Sequence, residues 1–130
     1  MPAREPIDVD EEGIGLFEQA FAFEEGGEHD QALELRGRLL DCYPDNERVI
    51  IAFARSLAAV GSTEEAERQY RKAIFIFPYS ELSSLQLFHF LWDANRTDDA
   101  FVEMKRFQSI SHSDDYDKFV HTINREAGSD

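Results

Sequence analysis

Residues 45–78 read DNERVIIAFARSLAAVGSTEEAERQYRKAIFIFP. Two helical patterns lie in this stretch, divided at Gly61. Val49, Ile50, Phe53, Ala54 and Leu57 recur at intervals of three and four, which places them on one side of a helix. Glycine tolerates the left-handed turn at a helix C-terminus, so Gly61 ends this one. Ser62 opens the next, with Glu65 three residues on as its capping-box partner. Ala66, Tyr70, Ala73, Ile74 and Phe77 form the apolar side of that second helix. Pro78 stops it, because proline cannot continue the hydrogen-bond ladder.

Working outward, the same grammar recurs every 34 residues. Pro44 and Pro78 share that spacing. So do Ala32, Ala66 and Ala100, and also Gly27, Gly61 and Asn95. A common period in three residue classes is the signature of a repeat architecture. It divides the chain into units at about 11–44, 45–78 and 79–112. In the first, Leu16, Ala20 and Phe23 precede the turn, and Ala32, Leu35, Leu39 and Leu40 follow it. In the third, Leu87, Phe88 and Leu91 lead to Asn95. Thr97 is the expected N-cap there, before Ala100, Met104 and Phe107. Residues 114–127 predict a seventh helix, with Tyr116, Phe119, Val120 and Ile123 on one side and Asp114, Asp115, Asp117 and Lys118 on the other. One face for the stack and one for water is what a terminal capping helix requires.

The middle unit resembles the tetratricopeptide repeat, a 34-residue helix–turn–helix. Ile50, Phe53, Ala54 and Leu57 stand at the spacings of that family's first series, and Ala66, Tyr70 and Pro78 match its second. The resemblance covers residues 11–112. Gln19 and Arg36 depart from it in the first unit, and His112 stands in place of the closing proline in the third. Leu16, Ile50 and Ser84 replace the opening aromatic. The resemblance implies an all-α fold: a right-handed α-solenoid of three such repeats with a seventh capping helix. It would form a single domain over residues 11–127, preceded by a flexible acidic segment, residues 1–10. Ala20 and Ala54 are expected at close helix crossings. Phe88 breaks that rule, which predicts looser or shifted packing in the third unit. Cys42, one period from Ile76 and Ile110, is expected to be a buried packing residue.

Composition narrows the partner classes. The net charge is −14. Residues 1–30 hold ten acids against one base, Arg4, while the remaining hundred hold seventeen acids and twelve bases. A negative field repels nucleic-acid phosphates and anionic lipid, so neither is an expected partner. The N-terminus lacks the apolar core of a signal peptide, and no apolar run is long enough to span a membrane. A cytoplasmic location is expected. One cysteine excludes an intramolecular disulfide.

In this family the first helix of each repeat lines a concave, ligand-binding side. By period, the groove positions here are Phe17, Ile51 and Leu85, then Phe21, Arg55 and His89, then Glu24, Ala58 and Trp92, with Ile14, Arg48 and Leu82 at the helix starts. The candidate groove is therefore Phe17, Phe21, Arg48, Ile51, Arg55, Leu85, His89 and Trp92. Aromatic rings and arginines dominate binding energy at interfaces. The implied partner is a protein or peptide with apolar side chains, carrying acidic groups that meet the arginines. One subset of the family clamps C-terminal carboxylates. The corresponding positions here are Phe17, Phe21, Ala52, Leu82 and Gln86, none of them a cation, so that mode is not expected.

No catalytic constellation, metal site or cofactor motif stands out. The four histidines lack zinc-type spacing, and Gly26-Gly27 is followed by Glu28, which repels phosphate. The expected function is a non-catalytic protein-binding adaptor or scaffold. Two alternatives remain from the sequence: a small dedicated chaperone or inhibitor that masks one secretion substrate or toxin, and a self-associating module such as a homodimer.

Overall fold

The computed structural model describes residues 9–128. Among them are seven α-helices and no strand: α1 (Glu11–Glu25), α2 (His29–Cys42), α3 (Glu47–Ala59), α4 (Thr63–Ile76), α5 (Glu81–Asp93), α6 (Thr97–Gln108) and α7 (Asp114–Ala127). Each expected repeat contains one helix pair, and the seventh helix covers the expected residues. The acidic segment expected over residues 1–10 lies, up to residue 8, outside the described residues. The chain divides into two compact units, Met1–Phe77 and Pro78–Asp130.

The turns explain the period. Gly27, Gly61 and Asn95 all have positive φ, at 77°, 86° and 61°. In each turn the next N–H closes back five residues: Glu28 to the Phe23 carbonyl at 2.8 Å, Ser62 to Leu57 at 2.9 Å, and Arg96 to Leu91 at 2.9 Å. This is the Schellman closure, which requires a left-handed residue, and glycine or asparagine supplies it at least cost.

The helix starts divide into two kinds. Asp10, Asn46, Ser80 and Ser113 accept from the N–H groups of Gly13, Val49, Ser83 and Tyr116, capping α1, α3, α5 and α7. The helices entered from a Schellman turn have no such side-chain cap. Ser62 therefore makes no capping box with Glu65, contrary to expectation, and Glu65 bonds Arg68 instead. The cap residue of α6 is Arg96, and Thr97 is its first helical residue. At Glu28, Ser62 and Arg96 ψ lies between 62° and 69°. An extended ψ, such as the 121° of Asn46, turns a cap side chain back over the first helical turn. The Schellman exit does not allow that conformation.

In the first unit α1 packs on α2, α2 on α3, and α3 on α4. Ala20, Ala32, Ala54, Ala66 and Ala73 have no solvent exposure, which lets the helices approach closely, and Leu39 and Ile50 fill the space between them. In the second unit α5 packs on α6. The Phe88 ring, which stands where Ala20 and Ala54 stand in the earlier repeats, is enclosed rather than loosely held. Tyr116 and Phe119 of α7 meet it edge-on at centroid distances of 5.2 and 4.9 Å. Tyr116 is fully buried, and the acidic side of α7 is exposed.

Cys42 is exposed, not buried. It is the last residue of α2. Its period partners show that this position lies on the rim, since Ile76 is only half-buried and Ile110 is exposed.

Candidate protein-interaction surface

In the first unit, α1 is held by few buried residues. Only Gly13 and Ala20 of its fifteen are buried, so the helix depends on a polar tie near its C-terminus. Arg36, on α2, is 4% exposed. Its Nη2 donates to Glu24 Oε1 at 2.5 Å, and its guanidinium carbon lies 4.5 Å from the centre of the Phe17 ring. Ser56, on α3, donates to the second Glu24 oxygen at 2.6 Å. Three helices thus meet at one carboxylate. Burial pushes the Glu24 carboxyl up, but the hydrogen bonds from Arg36 and Ser56, with the charges of Arg36 and Arg55, outweigh it and hold Glu24 below the usual carboxylate range. Arg36 Nε and Nη1 are buried without a hydrogen-bond partner. The aromatic face of Phe17 compensates part of that loss.

This tie orients the α1 side chains that the sequence singles out. Phe17 is half-buried beneath Arg36, and Phe21, one turn further along, is 57% exposed. Arg55 is exposed and lies within electrostatic reach of Glu24. Arg48 is half-buried. Ile51, expected in the groove, is 5% exposed and belongs to the core.

In the second unit, Leu85 is half-buried and His89 exposed. Trp92 is half-buried, stacked on Phe88 and met edge-on by Phe101 and Phe119. It is shared between a ring cluster and the surface. Below it, Ser84 Oγ lies 2.7 Å from both Glu103 Oε2 and the Tyr116 hydroxyl, and Arg106 pairs with Glu103 at 2.7 Å. A hydroxyl beside a carboxylate resembles a nucleophile and base. Ser84 has no solvent exposure, however, so no substrate reaches it. The arrangement is a structural tie.

Among the described residues, one group of three metal-capable side chains comes together: His112, Asp114 and Asp117, with ligand atoms within 4.8 Å. All three are exposed. They stand at the start of α7, where the positive end of the helix dipole disfavours a cation. A hydrogen bond to Asp114 and the charge of Asp117 instead raise the pKa of His112, making it an ion-pair partner. The spacing in sequence gives no cue to this trio, which depends on the bend before α7. Glu24 and Arg36 do leave a cue, as charged residues at repeat positions that hold Trp92 and Met104 in the third unit.

No family model matches the chain, and no curated protein does. Solved structures do. The first TPR of Spaghetti (RPAP3), bound to the HSP90 peptide SRMEEVD, superposes with a TM-score of 0.69 at 14% identity, over 92% of this chain and 99% of that one. The fold is the tetratricopeptide-repeat fold. The Sgt2 TPR domain from Aspergillus fumigatus gives a TM-score of 0.67 at 18% identity, covering 97% and 85% of the two chains. A mutant of MamA gives 0.63 at 15% identity, covering 82% and 77%. Among the described residues no helix is long and apolar enough to cross a membrane.

Proposed function

We propose that the chain is a non-catalytic adaptor that binds a protein or peptide segment with apolar side chains and at least one acidic group. The observation that carries this reading is Phe21, a large ring 57% exposed on a helix tied to its neighbours by a part-buried ion pair. Exposed Arg55 supplies a cation on the same unit. An exposed aromatic ring and an exposed arginine on one unit are the residue types that dominate binding energy at interfaces. Phe17 and Arg48 extend the patch in the first unit. Leu85, His89 and Trp92 offer a second patch in the other.

The structural neighbour captured with an HSP90 peptide supports peptide binding in general terms. The mode proposed here differs, because Phe17, Phe21, Ala52, Leu82 and Gln86 give no cationic clamp for a terminal carboxylate. Fluorescence anisotropy with three labelled peptides tests this: apolar with one internal acid, SRMEEVD, and apolar with one internal base. The first is expected to bind with Kd on the order of 10 µM. Phe21→Ala and Arg55→Glu should each weaken it about tenfold, with helical circular dichroism unchanged. Tighter binding of SRMEEVD, lost on amidating its C-terminus, would overturn the reading.

A further inference from the structure

The first unit presents two solvent stripes of opposite sign. On α1, Ile14, Glu18, Phe21 and Glu25 are all exposed, and intervals of four, three and four keep them on one side of the helix. That helix carries five acids and no base. On α4, Arg68, Arg71 and Phe75 are exposed at intervals of three and four. From Arg68 to Ile76 the helix holds three bases and no acid. Phe75 is 86% exposed, more than any other large hydrophobic side chain among the described residues. The helix dipole does not account for this stripe, because the last turn of α4 holds no base. Nor does the fold use it: Arg68 and Arg71 bond through Nε to Glu65 and Glu67 on their own helix, as exposed pairs that exchange partners at little cost.

We infer that α1 of one copy docks on α4 of a second copy, with Ile14 and Phe21 against Phe75 and with Glu18 and Glu25 against Arg68 and Arg71. Apolar groups alternating with charge of one sign on α1, and with charge of the other on α4, give both the driving force and the pairing rule. With one α1 stripe on one α4 stripe per contact, the contact is heterologous. A docked pair leaves one α1 and one α4 unused, and association continues beyond a dimer. The inference shares with the proposed function the reading of Phe21 as a recognition residue. Phe75 belongs to this contact alone.

Light scattering of the full chain over a concentration series tests it. At low salt the mean mass is expected to rise above 15.0 kDa and keep rising without a plateau at a dimer. At about 0.5 M salt it should fall back, because exposed charges are then screened. Phe75→Glu and Phe21→Glu should each be monomeric alone and form a 1:1 heterodimer when mixed, since each keeps the stripe that the other lacks. Arg68→Glu with Arg71→Glu should weaken association at least tenfold, and adding Glu18→Arg with Glu25→Arg should restore it. A 15.0 kDa monomer at every concentration overturns the inference. So does failure of the two monomeric variants to pair while their circular dichroism matches wild type. Peptide binding by Phe75→Glu that equals wild type shows that the proposed function stands whichever way this contact falls.

Discussion

The first and third repeats place opposite chemistry at the same positions. Glu24 and Arg36 form a part-buried ion pair in the first, and two repeats later the same positions are Trp92 and Met104, one in a ring cluster and one in the core. The reverse exchange also occurs. Leu16 and Leu35 are apolar, whereas their counterparts Ser84 and Glu103 carry the polar tie of the second unit. The first and third repeats therefore each carry a carboxylate-centred polar tie between their helices, at different levels. The difference in consequence is large. Where the polar link lies near the end of α1, the helix buries only two small residues and leaves Phe21 in water. Where rings replace it, Phe88 is enclosed and Trp92 half-covered. A polar tie fixes orientation without needing apolar area, and so leaves apolar side chains available for a partner.

The largest expected effect comes from removing the centre of the ring cluster. Phe88→Ala should cost about 4 kcal/mol, read as a lower urea midpoint, because it leaves a cavity among Trp92, Tyr116 and Phe119. Glu24→Ala comes next. It strands the buried Arg36 guanidinium, a change worth about 3 kcal/mol for a fully buried pair. The Glu24 side chain is 27% exposed, which lowers the expectation to about 2 kcal/mol. Replacing the whole tie, with Glu24→Leu, Arg36→Met and Ser56→Ala together, should recover most of that loss, since no unpaired polar group then remains. If the triple variant is as unstable as the single one, apolar side chains cannot substitute for the tie, and the comparison with Trp92 and Met104 fails.

Much of this architecture was legible in the sequence. Gly27, Gly61 and Asn95 mark turns because a left-handed residue is needed there whatever surrounds it. The alternating apolar faces follow from helical periodicity alone. The limits are equally physical. Ser62 with Glu65 has the pattern of a capping box, but the preceding turn fixes its ψ, so local pattern yields to the closure around it. Cys42 shares a period with Ile76 and Ile110, yet period gives a place along the helix and not its depth. Ile51 and Phe17 stand in one expected row, and only packing shows that the first is core while the second bears a guanidinium. Arg36 registers in the sequence as a departure from the family pattern. Its partner Glu24 lies on α1 and the second donor to that carboxylate, Ser56, on α3, and pairing across helices is invisible to a one-dimensional reading.

Acid should act on the first unit through its tie. The Glu24 pKa is lowered on folding, so its stabilisation is complete above its ordinary value near 4.5 and is lost as pH falls through the folded value. The stability difference between wild type and Glu24→Gln should therefore shrink below pH 4.5. Alkali does not separate the units. Burial pushes both Tyr70 and Tyr116 up to about 12, so each contributes stability below pH 10 that is lost as pH rises toward 12. Tyr70→Phe and Tyr116→Phe should each flatten that alkaline loss in urea melts taken across the range.

The smallest effects lie in the turns, where the repeats are most alike. Gly27→Ala and Gly61→Ala place a Cβ on backbones with φ of 77° and 86° and should each cost about 1 kcal/mol. No neighbouring atom lies within 4 Å of the added Cβ at either site, so the cost is purely conformational and should be equal in the two repeats. Asn95→Gly works in the other direction. It relieves left-handed strain at φ 61°, but it also frees the unfolded chain, leaving a gain of about 0.3 kcal/mol in thermal melts. Unequal costs at Gly27 and Gly61 would mean that the turns, and not only the ties, differ between repeats. The contrast between repeats would then begin at the backbone rather than at Glu24 and Arg36.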